Sequence, residues 1–273
     1  MVGREFAFHK YEGLGNDFVV LDAAEEGTVA PARALALCDR RLGIGADGVI
    51  LVLPPRVPAV DARMRVINAD GSVAEMCGNG VRCVALHVAN QRGRRGGSLV
   101  IETDAGPRAC TLAEGATDSV AMVTVDMGIV RVVGDCTIDV DGEIVTLTTA
   151  DAGNPHAVLF GAFSRNDIAR LGSRIAVHPA FPRGTNVEFA RPDGAEIDLV
   201  VWERGVGTTL ACGTGACATV AVACSKGLAP EGTRVGVRLP GGHLDVTIES
   251  DGAASMKGPA RRVFSGTLSS GWG

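Results

Sequence analysis

The chain is short of aromatic rings, of positive charge and of closely paired cysteines, and each shortage excludes something. Aromatics are 4% of its 273 residues (two Trp, one Tyr, eight Phe). The core must therefore be built from Val, Ile, Leu and Ala, which pack into thin α/β layers rather than around bulky rings. Lys and Arg total 26 against 31 Asp and Glu, a net charge of −5. A nucleic-acid surface needs the opposite balance. The one basic knot, QRGRRGG at 91–97, lies among glycines and reads as a solvated loop. No C-x-x-C occurs among the eight cysteines and no H-x₃₋₅-H among the five histidines. Zinc sites usually announce themselves by such pairs, so no metal is expected. His9, His87, His178 and His243 have no matching partner in the sequence and are assigned nothing.

Long apolar runs are also missing. The longest uncharged stretch, between Arg204 and Lys226, contains four Gly and four Thr, too polar and too flexible for a membrane span. A helix buried in a protein core fits it better. The N-terminal MVGREFAFHK carries charges where a signal peptide needs its apolar segment. The eight cysteines are then expected as free thiols in a reducing cytoplasm.

What is present is a folded chain of ordinary composition, 46% hydrophobic and 21% charged, long enough for two domains. Strand-like runs at 17–22, 48–54, 63–71, 98–106 and 119–128 end in Asp-Gly, Ala-Gly or Met-Gly turns. A helix is expected over 31–43, opening at Pro31 and closing on Gly43. A second should start at Cys77 and a third at Cys212, ending at Gly227. Both are apolar on most faces, so strands should wrap them.

The halves repeat. GNDFVVLD at Gly15 is echoed by GNPHAVLF at Gly153, 138 residues on, and CGNG at Cys77 by CGTG at Cys212, 135 residues on. GADGVIL at Gly45 is echoed by GTNVEFA at Gly184, and Asn68 and Glu203 each precede their cysteine by nine residues. Matches in one order at nearly constant offset imply a duplicated domain. We expect a first half over 1–125, with 260–273 packing back on it, and a second over 126–259. A site at their interface would bring two matched helix starts together.

A helix start carries unpaired N–H groups and partial positive charge, and glycines let a ligand reach them. Gly78 and Asn79, and Gly213 and Thr214, could hold a carboxylate. Cys77 and Cys212 at the same points should have thiol pKa values pulled below about 8.5. Two sulfurs flanking one carboxylate suit removal of the proton from the adjacent carbon and delivery of another to the opposite face. The bland alternative for either cysteine is a small buried residue. For the remaining six cysteines packing is the simpler account.

Taken together, MCGNGVRC, ERGVGTTLACGTGACA, GLGNDF, INADGS, DAGNPH and GTNVEF resemble diaminopimelate epimerase, in order from Phe8 to about Gly258. The resemblance implies a mixed α/β (α+β) fold of two pseudo-symmetric domains, each wrapping strands around a central helix, with the active site at their interface. It implies a cofactor-independent isomerase interconverting LL- and meso-diaminopimelate, on the route to lysine and peptidoglycan, through a Cys77–Cys212 thiolate–thiol pair without pyridoxal phosphate or metal. His156 and Glu203 match residues that tune thiol protonation. Gly78, Asn79, Gly213 and Thr214 would hold the carboxylate at the reacting centre. Asn68, Asn154, Asn186, Glu203 and Arg204 would read the distant end of the substrate, with Asn16 lining the pocket. The chain departs from the family at Gly48, where many members carry Gln. The expected partner is the small-molecule substrate, with no nucleic acid and no membrane; the resemblance leaves a homodimer open. The competing readings are a proline or hydroxyproline racemase on the same fold and a thiol redox sensor or binding module.

Overall fold

Segments rich in β-branched residues and bounded by glycine turns form the strands of this protein. The computed structural model describes residues 6–269. In chain order the elements are β1 (Phe6–Gly13), β2 (Asn16–Asp22), α1 (Pro31–Cys38), β3 (Gly48–Leu53), β4 (Ala62–Asn68), β5 (Val73–Ala74), α2 (Gly78–Gln91), β6 (Gly97–Thr103), β7 (Gly106–Leu112) and β8 (Val120–Ile129). They continue with β9 (Arg131–Val140), β10 (Glu143–Asp151), β11 (Pro155–Phe160), α3 (Arg165–Ile175), β12 (Asn186–Asp193), β13 (Glu196–Glu203), β14 (Gly207–Thr209), α4 (Gly213–Ser225), β15 (Val235–Leu239), β16 (Gly242–Ile248) and β17 (Ala253–Leu268). The described chain divides into two compact units, residues 6–125 with 258–269, and Asp126–Lys257. The first five residues and the last four, which complete the tail SSGWG, lie outside the described residues.

In the first unit β1 pairs antiparallel with β2, β2 parallel with β3, β3 antiparallel with β4, and β4 parallel with β6. β6, β7 and β8 follow as an antiparallel run, and the second part of β17 lies antiparallel to β1. The second unit repeats this order. β10 pairs antiparallel with β11, β11 parallel with β12, β12 antiparallel with β13, and β13 parallel with β15. β15, β16 and the first part of β17 follow antiparallel, and β9 lies antiparallel to β10. Parallel neighbours need a crossover, usually a helix. α1 and α3 supply it between β2 and β3 and between β11 and β12; α2 and α4 supply it between β4 and β6 and between β13 and β15. The mixed α+β fold that the family resemblance implies is the fold observed.

The two kinds of helix differ because their sequences do. Every residue of α2 from Gly78 to Ala89 is buried, and α4 is buried from Gly213 to Ala223 apart from half-buried Thr214. A helix apolar on all faces must be enclosed. α2 contacts β1, β2, β4, β6 and β7, and α4 contacts β9, β10, β11, β12 and β16. α3 instead buries one stripe, Ile168, Leu171 and Ile175, against a cluster that includes Leu147, Val187 and Phe189. α1 does the same with Ala34, Leu37 and Cys38.

Two sequence expectations need correction. The first helix stops at Cys38, not Gly43. The Asp39 carboxylate accepts the N–H groups of Arg41 and Leu42, both at 2.7 Å, which turns the chain out of the helix. Gly43 then folds back so closely that a Cβ there would lie 2.1 Å from the Ala36 carbonyl oxygen. α3 was not anticipated. Its capping box joins Ser164 and Asp167: the Asp167 N–H donates to Ser164 Oγ at 3.2 Å, and the Ser164 N–H to Asp167 Oδ2 at 2.9 Å.

Candidate active site

Cys77 is the residue before α2, with extended backbone at φ −140°. Its carbonyl takes the first helical hydrogen bond, from the Val81 N–H at 2.9 Å. Gly78, Asn79 and Gly80 form the first turn. At Gly80 a Cβ would lie 3.0 Å from Ile50 Cδ1, so a larger residue there would make that side chain give way. The Cys77 sulfur lies 3.8 Å from Asn16 Oδ1, and the Asn79 amide donates to the same oxygen at 3.4 Å. Asn79 Oδ1 accepts from the fully buried Arg82 at 2.9 Å, and Arg82 Nε donates to the Pro259 carbonyl at 3.0 Å. The Asn16 amide donates to Asp47 at 3.0 Å. Asp47 is bound by Arg40, which also grips Asp17, and Asp17 pairs with the buried Lys10 at 2.6 Å. Asn16, Cys77, Gly78 and Asn79 are thus one group, held from behind by charge pairs.

Asn68 stands at the end of β4, opposite Gly48 of β3, and its amide donates to Ser72 Oγ at 3.0 Å. A Cβ on Gly48 would lie 2.9 Å from the Ile67 carbonyl oxygen. The glycine is therefore matched to a tight strand pairing, and a Gln side chain cannot be added there without moving backbone.

The second unit repeats the helix start with different surroundings. Cys212 precedes α4 with φ −129°, and its sulfur accepts from the Gly215 N–H at 3.4 Å and lies 3.5 Å from Thr214 Oγ1. Behind it are two buried ionisable side chains. His156 Nδ1 lies 2.6 Å from Glu188 Oε1, both side chains being fully buried, and His156 Nε2 lies 2.8 Å from Asn154 Oδ1. The Cβ that Gly215 lacks would sit 2.9 Å from Glu188 Oε1 and 3.3 Å from the Cys212 sulfur. Gly215 thus lets carboxyl and thiol approach the same turn. Asn186 is buried and accepts the Arg204 N–H at 2.9 Å, while the exposed Arg204 guanidinium donates to the Arg183 carbonyl. Glu203 accepts from Thr209 Oγ1 at 2.6 Å.

The electrostatics overturn one expectation. A helix start was expected to lower the Cys212 thiol pKa, and it is instead pushed well above the ordinary thiol value. Burial is the main cause, and the charges of Glu203 and Glu188 add to it; the bonds from Thr214 and Gly215 pull the other way and lose. Burial also raises the Glu188 carboxyl despite the His156 imidazole beside it. Glu188 Oε2 is buried with no hydrogen-bond partner among the described residues.

Glu188 is the residue that sequence reasoning missed. It sits inside GTNVEF, a motif whose Asn drew the attention. The signal was a carboxylate in a strand segment, Asn186–Ala190, that is otherwise buried throughout. His9 and His87 are not solitary either. The rings lie 4.9 Å apart, and His87 Nε2 is 3.0 Å from Asp22. All eight cysteines are free thiols.

Comparison with known proteins shows what the chain is similar to. The family model described as diaminopimelate epimerase matches residues 8–133 and 148–263. A protein named diaminopimelate epimerase from Desulfitobacterium hafniense is 44% identical over 279 residues, covering 95% of this chain and 96% of its own length. One of the same name from Synechococcus elongatus is 41% identical over 96% of this chain and 97% of its own. Among solved structures, a hydroxyproline epimerase from Agrobacterium vitis with bound trans-4-hydroxy-L-proline superposes with a TM-score of 0.75 at 16% identity, covering 97% of this chain and 93% of that one. A phenazine biosynthesis protein from Bacillus anthracis gives 0.74 at 14%, covering 97% and 99%. At those identities the likeness is one of fold alone.

Proposed function

The chain belongs to the diaminopimelate epimerase family, and on that premise we propose that it interconverts LL- and meso-diaminopimelate without a cofactor, moving protons with Cys77 and Cys212. The observation that carries the reading is the recurrence of one device. Each unit places a cysteine immediately before an enclosed, glycine-opened helix, at the same point of the same strand order. A thiol faces one side of a carbon and carries one proton, so inversion needs two, one taking and one giving.

The surroundings divide the labour. The raised Cys212 thiol holds its proton at neutral pH and is the resting acid; the base then falls to Cys77, whose S–H donates to Asn16 Oδ1 and must give up that bond as it becomes the thiolate. In the reverse direction Cys212 must become the thiolate. The Gly215 N–H and Thr214 hydroxyl already at its sulfur are the groups to stabilise it. The leaving proton is a far weaker acid than any thiol, and each unit of mismatch costs about 1.36 kcal/mol. Gly78 and Asn79 and Gly213 and Thr214 would offset that by binding the carboxylate onto which charge spreads. Asn68, Asn154, Asn186, Glu203 and Arg204 would address the distal ammonium and carboxylate. His156 would tune Cys212 through the chain of bonds to Asn154 and Glu188.

The same reading makes the protein a cytoplasmic enzyme of lysine and peptidoglycan precursor synthesis; its free thiols support that compartment, and a homodimer is the assembly to be weighed by sedimentation. The test is turnover of LL-diaminopimelate in heavy water. Deuterium should enter the α-position of the product, and Cys77→Ala and Cys212→Ala should each lower kcat by at least about 10³-fold. Full turnover in either variant, or faster turnover of proline than of diaminopimelate, would overturn the reading.

A further inference from the structure

The cluster of His9, Asp22 and His87 in the first unit uses none of the residues assigned above, and it gathers three side chains able to hold a metal ion. One ligand atom from each of the three lies within 4.8 Å of the others. They come from three elements: His9 from β1, Asp22 from the last position of β2, and His87 from the tenth position of α2. We propose that His9, Asp22 and His87 bind one divalent transition-metal ion of the zinc, cobalt or nickel type.

Second-sphere contacts support this in detail. A ligating imidazole normally donates its other ring N–H to a fixed acceptor. His87 Nδ1 lies 3.2 Å from the Tyr11 hydroxyl, which leaves Nε2 facing Asp22 at 3.0 Å. His9 Nδ1 lies 2.7 Å from Ser265 Oγ, which leaves its Nε2 for the metal. Two imidazoles with one carboxylate suit borderline transition metals better than calcium or magnesium, which prefer all-oxygen shells. The Gln91 amide, 2.9 Å from Asp22 and 3.1 Å from His87 Nε2, lies on the rim and can turn its oxygen inward. An entry path exists because half of the Asp22 side chain is exposed while His87 is nearly wholly buried. An adverse charge is that of Arg262, close enough to act on His9; the Asp22 carboxylate, bound as the anion, has to offset it.

The placement gives the site a purpose. β2 carries Asn16 at its start and Asp22 at its end, and α2 follows Cys77 and carries His87 near its end. A metal there would tie together the far ends of the two elements whose near ends hold the first cysteine. It would brace that group without touching substrate.

The experiment is titration of the chelator-treated full chain with Co²⁺. We expect one ion per chain, visible d–d absorption without a sulfur-to-cobalt charge-transfer band, and a rise in melting temperature. His9→Ala and Asp22→Asn, both at partly exposed positions that leave the core intact, should each weaken binding by roughly tenfold or more. Undiminished affinity in both variants, a charge-transfer band marking thiolate ligation, or no binding at millimolar Co²⁺ would overturn the proposal. Each outcome is independent of whether the chain turns over diaminopimelate.

Discussion

Glu188 and Glu203 both raise the Cys212 thiol, and Glu188 has no counterpart in the first unit. Where Gly45 is aligned with Gly184 its place is taken by Val49, and where Gly15 is aligned with Gly153 that of His156 is taken by Phe18. The first half thus has Asn16 and the Asp47–Arg40–Asp17 network behind its cysteine, and the second carries a buried carboxyl–imidazole pair. On the proposed chemistry this asymmetry would separate the roles, because a like charge behind a thiol opposes its ionisation. Replacing Glu188 by Gln keeps the shape and an acceptor for His156 but removes the charge. We expect Glu188→Gln to lower kcat about 10–100-fold with KM little changed, as for a positioning residue. The same variant should react faster with iodoacetamide at Cys212 at a fixed pH near 8, because its thiolate fraction rises. In the native enzyme Cys212 should be the slower of the two cysteines, with its labelling increasing as pH rises. Peptide mapping that finds Cys212 labelled first near neutrality, or unchanged by the substitution, removes the electrostatic role.

At the scale of elements, the enclosed helices were the most legible parts of the chain. CGNGVRC and CGTGACA read as helix starts because glycine, cysteine and an unbroken apolar run coincide, and α2 and α4 begin one residue after their cysteines. The parallel strand pairs were not read from the sequence; the helices crossing between their strands make them possible. The amphipathic helices were less legible. α1 was overrun because Arg40, Arg41 and Gly43 look like a helix end, whereas the Asp39 side chain captures the backbone earlier. α3 was overlooked although Ser164, Asp167 and the spacing of Ile168, Leu171 and Ile175 were in view. Glu188 and the His9–Asp22–His87 cluster were hidden for another reason: their partners meet through strand pairing and helix packing that no local spacing encodes. The cap of α3 is separable from the chemistry. Ser164→Ala should cost about 1 kcal/mol in urea unfolding and leave kcat/KM unchanged. A loss of activity out of proportion to stability would show that α3 does more than support β12.

For the whole molecule, a net charge of −5 does not describe how acid unfolds it; the carboxylates held by cations do. Asp17 is the clearest. Burial alone would raise it, but hydrogen bonds from Arg40 and Lys10, with the Lys10 charge, draw it down to about 2 from 3.8. Its folded pKa lies below the unfolded one. The stability it supplies is therefore complete above about pH 4 and is lost as pH falls through about 2. Lys10 is 6% exposed and would be left buried without its carboxylate partner if Asp17 were neutral. Arg40 is more than half exposed, so solvent screens its share. Asp17→Asn should then destabilise the chain by about 1–2 kcal/mol at pH 7, read as a lower urea midpoint at unchanged slope. The gap between wild type and variant should narrow as pH falls from about 4 to about 2. Because Asp17 shares Arg40 with Asp47, which holds Asn16 beside Cys77, the variant should also lose activity at pH 7. A gap constant across that range would mean that the Asp17→Asn change acts through packing, and that the charge network behind the first cysteine is incidental to it.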